Sequence, residues 1–306
     1  MNKLQKTISV FLLTAVLLLL VFLPKITVEL MDRPGYIDFF KPKQEPFGGV
    51  ITCWHVVGFR PYLGSLGTWL KKYASKLEKK HYGVYLNVEV IELSEAEARL
   101  AEGRMPDLIS FPAGLLPASA LTALDGDFAV DTEPGMAAGS LRAVPYAASC
   151  RLILYDPAKK TPEELAGSPE TAAANTFDAF KKGKADCCIT DVRGAGDVFR
   201  LLSAGKADYF DVLPFEERTD LVQFIGISAD IRAEKLSYCC EFIALITAEQ
   251  AQKELTELGL LPMNTAVEAR FEQSFLADAY ALIRHAEAAG KKPFRNAFER
   301  RETDGK

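Results

Sequence analysis

The chain has 306 residues, enough for one large or two modest domains, and its 49% hydrophobic and 25% charged residues are ordinary for a globular protein. A net charge of −5, with no basic stripe of interleaved aromatic residues, argues against nucleic acid as a partner. The six cysteines lack zinc-ligand spacing, and three histidines leave little material for acid–base catalysis, so neither a metal or other cofactor nor an enzymatic activity is expected.

The first thirty residues predict a membrane segment. Ile8–Leu23 contains 16 uncharged residues, 13 of them Leu, Ile, Val or Phe, and follows Lys3 and Lys6. As a helix it would span about 24 Å, somewhat less than the bilayer core of about 30 Å. No Ala-x-Ala cleavage pattern follows Leu23, so the sequence favours an uncleaved N-terminal transmembrane helix, with a cleaved secretory signal as the alternative. Either interpretation places the body of the chain outside the cytoplasm, and residues 31–49, rich in proline and glycine, are expected to be a tether.

The next segments alternate between strand and helix patterns. The predicted elements are a buried strand at Val50–Val57, a helix from Ser65 to about Lys80, a strand at Tyr85–Leu93, a helix ending at Gly103 and a third strand at Pro106–Pro112. Ser94 and Glu97 have the spacing of a capping box, and Glu95 and Arg99 that of an i,i+4 ion pair. This order is typical of a right-handed α/β lobe.

The middle of the chain contains fewer predicted elements. Ala143–Asp156 (AVPYAASCRLILYD) and Leu221–Ala229 (LVQFIGISA) read as buried strands. Between them the sequence predicts a strand at Ala185–Thr190, a helix at Asp191–Ser203 and a strand at Tyr209–Phe215. Arg193–Asp197 contains G-x-G without the third glycine of a dinucleotide site, so that function is not expected.

The region Tyr238–Asn264 (YCCEFIALITAEQAQKELTELGLLPMN) predicts two helices with a break between them. Thr247 and Gln250 have capping-box spacing, and Gly259 stands where a left-handed helix end is required. A last amphipathic helix is predicted at Ala266–Ala289, and residues 291–306 are expected to be a flexible tail.

Several of these passages together resemble one family. The tryptophan-containing first strand, Gly103–Leu108 (GRMPDL), the Ala143–Asp156 passage and the Tyr238–Asn264 passage are similar to segments of family 1 extracellular solute-binding proteins, the sugar-type receptors of ABC importers. The resemblance covers about Val50–Asn264 and implies the two-lobed, α/β, periplasmic-binding-protein type II fold. Lobe 1 would comprise about residues 48–145 and 230–290, and lobe 2 about residues 146–229. Lobe 2 is expected to be reduced, because the long helical region that family members carry before a segment like Phe177–Ile189 is missing.

The ligand site is expected at the carboxyl ends of the strands, as in other open α/β sheets. This rule selects His55 and the loop that follows it, together with Ser110, Phe111 and Pro112 after the third strand. The resemblance to sugar receptors implies that aromatic rings there stack on sugars and that Tyr146 faces the cleft at the hinge. The candidate ligand-binding residues are Trp54, His55, Phe59, Tyr62, Phe111 and Tyr146. The alternative for each aromatic residue, notably Trp54 and Phe111, is core or rim packing, and His55 is expected to be structural rather than catalytic.

Two functions follow from the resemblance. The first is a membrane-tethered extracytoplasmic protein that captures a sugar or oligosaccharide and presents it to the membrane subunits of an ABC importer. The second is a degenerate relative that keeps the fold and acts as a surface accessory, sensor or protein-interaction module without a transported ligand. The six cysteines are expected to be buried thiols, and a Cys53–Cys150 or mixed disulfide remains the alternative.

Overall fold

The predicted alternation of strands and helices is present in the computed structural model, which describes residues 47–205, 210–214 and 218–299. Strands β1 (Gly49–Val56), β2 (Val84–Ile91) and β3 (Leu108–Pro112) alternate with helices α1 (Leu66–Lys80) and α2 (Leu93–Ala101). Strand β1 lies between β2 and β3 and is parallel to both. The hydrophobic segment Ile8–Leu23 and the first part of the tether lie outside the described residues; within them, no helix combines the length and apolar character needed to cross a bilayer.

The larger sheet is completed by three strands from later in the chain. They are β6 (Val144–Ala148), β10 (Val222–Ile227) and β11 (Leu261–Pro262), and the sheet order is β11-β6-β10-β3-β1-β2. Strand β10 is antiparallel to both β3 and β6. Strands β6 and β10 lie within the two passages, Ala143–Asp156 and Leu221–Ala229, that are predicted as buried strands.

The smaller sheet has three described strands and is antiparallel throughout. Its strands are β7 (Arg151–Tyr155), β8 (Cys187–Asp191) and β9 (Asp211–Pro214), in the order β8-β7-β9. The helices around it are α3 (Pro162–Gly167), α4 (Glu170–Ala173), α5 (Phe177–Lys181) and α6 (Val192–Ser203). A short hairpin, β4 (Met136–Ala137) and β5 (Ser140–Leu141), precedes β6. Because three of the four helices are six residues or shorter, the smaller sheet has little helical covering.

Helices pack against both faces of the larger sheet, although Val50 of β1 and Tyr85 of β2 remain exposed. The remaining helices are α7 (Ala233–Thr247), α8 (Glu249–Glu257) and α9 (Ser274–Ala288). Side chains alternate between faces along each strand, so Cys53 packs with α1 and α7, whereas Trp54 belongs to a second cluster that includes α6 and α9. That second cluster also contains Leu152 and Cys188 of the smaller sheet, so one hydrophobic core joins the two sheets.

Helix ends differ from the predictions at two places. Helix α7 includes Thr247, whose hydroxyl donates to the carbonyl of Ile243 at 2.9 Å, and helix α8 is capped by Ala248 without a side-chain bond. Helix α2 begins at Leu93 and already includes Ser94, so both predicted capping boxes are wrong. Gly259 has the predicted left-handed conformation, with φ 74°.

The end of the chain also differs from the expectation. Helix α9 begins at Ser274, eight residues after the predicted start, because Asn264 directs the chain into a turn in which its Oδ1 accepts from the amide of Ala266. Beyond the helix, in the segment expected to be a flexible tail, Phe294 and Ala297 are buried in the core.

Candidate ligand-binding site

Five of the six candidate ligand-binding residues are buried. The exposed fractions are 0% for Phe111 and Tyr146, 2% for His55, 6% for Phe59 and 8% for Trp54, whereas Tyr62 is partly exposed. The six side chains do not converge on one surface, because neighbouring residues of a strand point to opposite faces. They divide into a polar cluster under α1, three aromatic residues packed in the core, and a single aromatic residue between the sheets.

The polar cluster is centred on Ser110 of β3. Its hydroxyl lies 2.9 Å from His55 Nδ1 and 2.8 Å from the Tyr146 hydroxyl, and it accepts a hydrogen bond from Gln223 Nε2 at 2.9 Å. Gln223 also donates to the carbonyl of Val56 at 2.8 Å. One serine therefore connects β1, β3, β6 and β10 beneath α1.

Burial determines the protonation of this cluster. It lowers the pKa of His55 to about 4 and raises that of Tyr146 above its ordinary range. Both groups are consequently neutral near pH 7, which suits hydrogen bonds between uncharged partners in a buried site. The ring of Tyr146 is stacked on that of Trp69 of α1, with 5.8 Å between centroids and 4° between planes.

Gln223 was not among the candidates although it completes this cluster. Its Oε1 is buried and has no hydrogen-bond partner among the described residues. This oxygen lies 2.9 Å from the position that a Cβ atom would occupy on Gly58. The signal in the sequence is the glutamine itself, because a polar residue within the apolar run LVQFIGI must find partners inside the sheet.

The apolar candidates pack within the core. The Phe111 ring lies 6.0 Å from that of Phe224, and the guanidinium of Arg99 lies 5.0 Å from the centroid of the Trp54 ring. Phe59 joins the cluster formed with α1 and α7. These placements correspond to the core-packing alternative.

Tyr62 belongs to an aromatic group at the junction of the two sheets. Its ring lies 6.0 Å from Phe275 of α9, and the Phe275 ring is stacked on Phe199 of α6 at 4.9 Å with 9° between planes. Phe210, just before β9, lies 4.7 Å from Phe199. We call Tyr62, Phe199, Phe210 and Phe275 the interlobe aromatic group. Gly196 of α6 permits this contact, because a Cβ there would lie 2.7 Å from the Tyr62 ring.

A cavity of about 370 Å³ lies elsewhere, beside the last residues of the described chain. Its charged lining includes Asp131, Glu133, Arg218, Lys291, Lys292 and Glu299. Lys292 pairs with Glu133, and Arg218 pairs with Glu299 at 2.8 Å. These two ion pairs neutralise part of the charge of the lining.

The cysteines and the acidic residues form no recognisable chemical centre in the described part of the chain. All six cysteines are present as thiols, five of them buried and Cys240 partly exposed, so the Cys53–Cys150 alternative is not realised. Among the described residues, no three His, Cys, Asp or Glu side chains are grouped so that they could hold a metal ion.

Comparison with known proteins identifies the fold. No protein-family model matches the sequence, and no curated protein matches it. Among solved structures, a chitin oligosaccharide binding protein superposes with a TM-score of 0.59 at 14% identity, covering 82% of this chain and 89% of that one. The ligand-free maltodextrin binding protein MalE1 from L. casei BL23 gives 0.58 at 12% identity, covering 82% and 88%. Iron-bound HitA from Pseudomonas aeruginosa gives 0.52 at 14% identity, covering 77% and 98%.

These similarities define a class of structure. The chain has the two-lobed α/β fold of solute-binding proteins, with the larger sheet in one lobe and the smaller sheet in the other. The similar structures are binding proteins for chemically different ligands, because their names include both oligosaccharides and iron. The fold therefore leaves both the role and the ligand of this chain to be argued from the site.

Proposed function

We propose that the chain is an extracytoplasmic solute-binding protein that captures a sugar or oligosaccharide for an ABC importer and is anchored to the membrane by Ile8–Leu23. It acts by binding rather than by catalysis. The observation that carries the proposal is the interlobe aromatic group, which lies where the loop after β1 meets α6 and α9. The fold shared with maltodextrin and chitin oligosaccharide binding proteins supports the same class of ligand.

The geometry suggests how a sugar would enter. The first crossover between the sheets, Ser149–Cys150, is short, and a second crossover, described at Arg218–Leu221, enters β10 beside it, an arrangement that suits a hinge. Rotation about these segments would separate Tyr62 from α6, where it lies against Gly196, and expose rings that can pack against a sugar. Because the rings contact each other in the closed arrangement, the sugar competes with them, and its apparent affinity falls with the fraction of molecules that is open.

Thermal unfolding of the full chain against a panel of sugars, oligosaccharides, amino acids and peptides tests this proposal. A ligand at a hundredfold its dissociation constant stabilises the folded state by about 2.7 kcal/mol, which raises the unfolding midpoint by about 5 °C for a chain of this size. We expect a sugar to give this shift and Tyr62→Ala to abolish it. The matched control is Tyr82→Ala, because Tyr82 is 78% exposed and lies at the opposite end of α1 from the candidate site.

The second candidate is the accessory or interaction protein without a transported ligand. The specific observation in its favour is that the chain's own aromatic side chains occupy the junction between the sheets, while five candidate residues are buried. Equal midpoints with every member of the panel would favour this function. A shift of the unfolding midpoint with amino acids or peptides alone would support the solute-binding function but replace sugars as the ligand class.

A further inference from the structure

The C-terminal segment Pro293–Glu299, which we call the strap, runs beside the second crossover. The amide of Thr219 donates to the carbonyl of Pro293 at 2.7 Å, and the amide of Arg295 donates to the carbonyl of Thr219 at 3.1 Å. These bonds form a parallel bridge between Thr219 and Phe294. The strap is therefore paired with the crossover as a short additional strand.

Thr219 also connects the strap to the first crossover. Its hydroxyl donates to the carbonyl of Ser149 at 2.7 Å, and the amide of Ser149 donates to the carbonyl of Leu221 at 2.8 Å. Both Ser149 and Thr219 are fully buried. Three segments of the chain, around residues 149, 219 and 294, thus lie side by side at the hinge.

Further along, the strap is attached to loops beside the larger sheet. The amide of Ala297 donates to the carbonyl of Pro134, and the amide of Gly114, just after β3, donates to the carbonyl of Ala297, both at 2.8 Å. Asn296 Nδ2 donates to the carbonyl of Met136 at 3.2 Å. Ala297 is fully buried and Phe294 is 5% exposed, so these attachments are protected from water.

We propose that the strap is a restraint on the hinge, which holds the second crossover against the lobe of the larger sheet and disfavours separation of the sheets. Rotation of the smaller sheet about Ser149 and Thr219 must either leave the strap behind, which breaks its bonds to Thr219, or carry it along, which breaks its bonds to Pro134 and Gly114. The free energy of opening therefore includes the cost of those buried bonds. This inference rests on the hinge opening in the proposed function, but its test needs no ligand.

The ion pairs at the two ends of the strap have a smaller role. Arg218 pairs with Glu299 at 2.8 Å, with side chains 59% and 44% exposed, and Lys292 pairs with Glu133 at the edge of the charged cavity. Exposed pairs of this kind are weak and screened by salt. The restraint is consequently assigned to the backbone bonds and the buried side chains.

The native thiol of Cys150 reports hinge opening. Cys150 follows Ser149 in the first crossover and is 2% exposed, so it is alkylated when the hinge opens locally or when the chain unfolds globally. The test compares Arg295→Pro, which removes the amide that donates to Thr219, with Arg295→Ala, which removes the same side chain and keeps the amide. Alkylation by iodoacetamide in the full chain is followed by mass spectrometry, with Cys53 in the core of the larger sheet as the internal reference.

We expect Arg295→Pro to accelerate alkylation of Cys150 about tenfold relative to Arg295→Ala, as loss of one buried backbone bond predicts, with the rate at Cys53 unchanged. Equal rates in the two variants would overturn the proposal. Parallel acceleration at Cys53 would also overturn it, because the strap would then contribute only to global stability. If Arg295→Pro does not fold, Phe294→Leu reduces the buried anchor instead, and the same selective acceleration at Cys150 is required. A sugar panel without a hit would leave this result unaffected, so the two proposals fail separately.

Discussion

At the scale of single residues, the site chemistry depends on one buried serine. Ser110 contacts His55, Tyr146 and Gln223 within 2.9 Å, and all four side chains are at most 2% exposed. Buried polar groups are costly unless each finds a partner, so the loss of one member affects the others.

Ser110→Ala is expected to destabilise the protein by about 2–3 kcal/mol, because it leaves three buried groups with fewer hydrogen bonds. Urea denaturation at pH 7 measures the effect. The control is Ser203→Ala at the exposed end of α6, whose hydroxyl donates to the carbonyl of Phe199; its effect should stay within about 1 kcal/mol. Similar values for the two variants would contradict the central position of Ser110.

His55 gives stability a specific pH dependence. Its pKa is about 4 in the folded chain against an ordinary 6.5, so the unfolded chain binds the proton first as the pH falls. The contribution of neutral His55 is complete above about pH 6.5 and is lost as the pH falls to 4, a change of about 3 kcal/mol. The stability difference between the native chain and His55→Asn should therefore shift by this amount from pH 7 to pH 4 in urea titrations. A pH-independent difference for His55→Asn would refute the assignment.

At the scale of elements, the junction between the sheets depends on one close helix contact. A Cβ atom on Gly196 would approach the Tyr62 ring to 2.7 Å, and the Tyr62 Cβ atom is itself only 2.5 Å from the corresponding position on Gly259. The ring therefore cannot easily move away, and a methyl group must displace α6.

Gly196→Ala is expected to destabilise the protein by about 1–2 kcal/mol, since overpacking outweighs the gain in helix propensity of about 1 kcal/mol. Gly167→Ala in α3 is the matched control, because no atom lies within 4 Å of its Cβ position; it should be neutral or slightly stabilising. The midpoints of urea denaturation are compared for the two variants. If both variants gained the same stability, α6 would not be in tight contact with Tyr62.

Secondary-structure elements were predictable where the local sequence pattern determines them. They were not predictable where a tertiary contact determines where a helix begins or ends. The strands and helices of the first 65 described residues follow hydrophobic periodicity, and the Glu95–Arg99 pair is present at 2.6 Å. The capping box at Thr247 failed because its hydroxyl bonds backward to Ile243. The start of α9 was misplaced because Asn264, which donates to the carbonyl of Thr247 at the end of α7, forms its own turn.

At the scale of the whole molecule, the candidate site likewise combines features that the local sequence predicts with features that depend on tertiary contacts. Sequence reasoning placed Tyr62 and Phe111 at the ends of adjacent strands, but it could not say that Phe199 and Phe275, each on an apolar helix face, would stack against each other. It also could not distinguish a ligand-facing Tyr146 from one that is buried under Trp69. The local sequence pattern determines the face of the sheet to which a strand residue points. The elements that cover that face come from distant parts of the chain.

The shared core predicts how the lobes unfold. Cys187 and Cys188 are neighbours on β8 that point to opposite faces, so Cys188 joins the core shared by both sheets, while Cys187 belongs to a small cluster with Leu165 and Ala172 of α3 and α4. Burial raises the pKa of Cys188 to about 12, so its thiol stays unreactive while it is covered.

We therefore expect alkylation at increasing urea to reach Cys187 first, through local opening of α3 and α4, and to reach Cys188 only together with Cys53, at the global transition. Mass spectrometry of the alkylated peptides measures the extent of reaction at each cysteine. The adjacent thiols serve as controls for each other, because they lie on the same strand and are exposed to the same urea concentration and reagent. If Cys188 reacts with Cys187 and before Cys53, the smaller sheet unfolds as a separate unit and the core between the lobes contributes little. If Cys188 reacts together with Cys53, opening of the two lobes must break the shared core. A captured ligand would then have to offset the free energy of breaking that core.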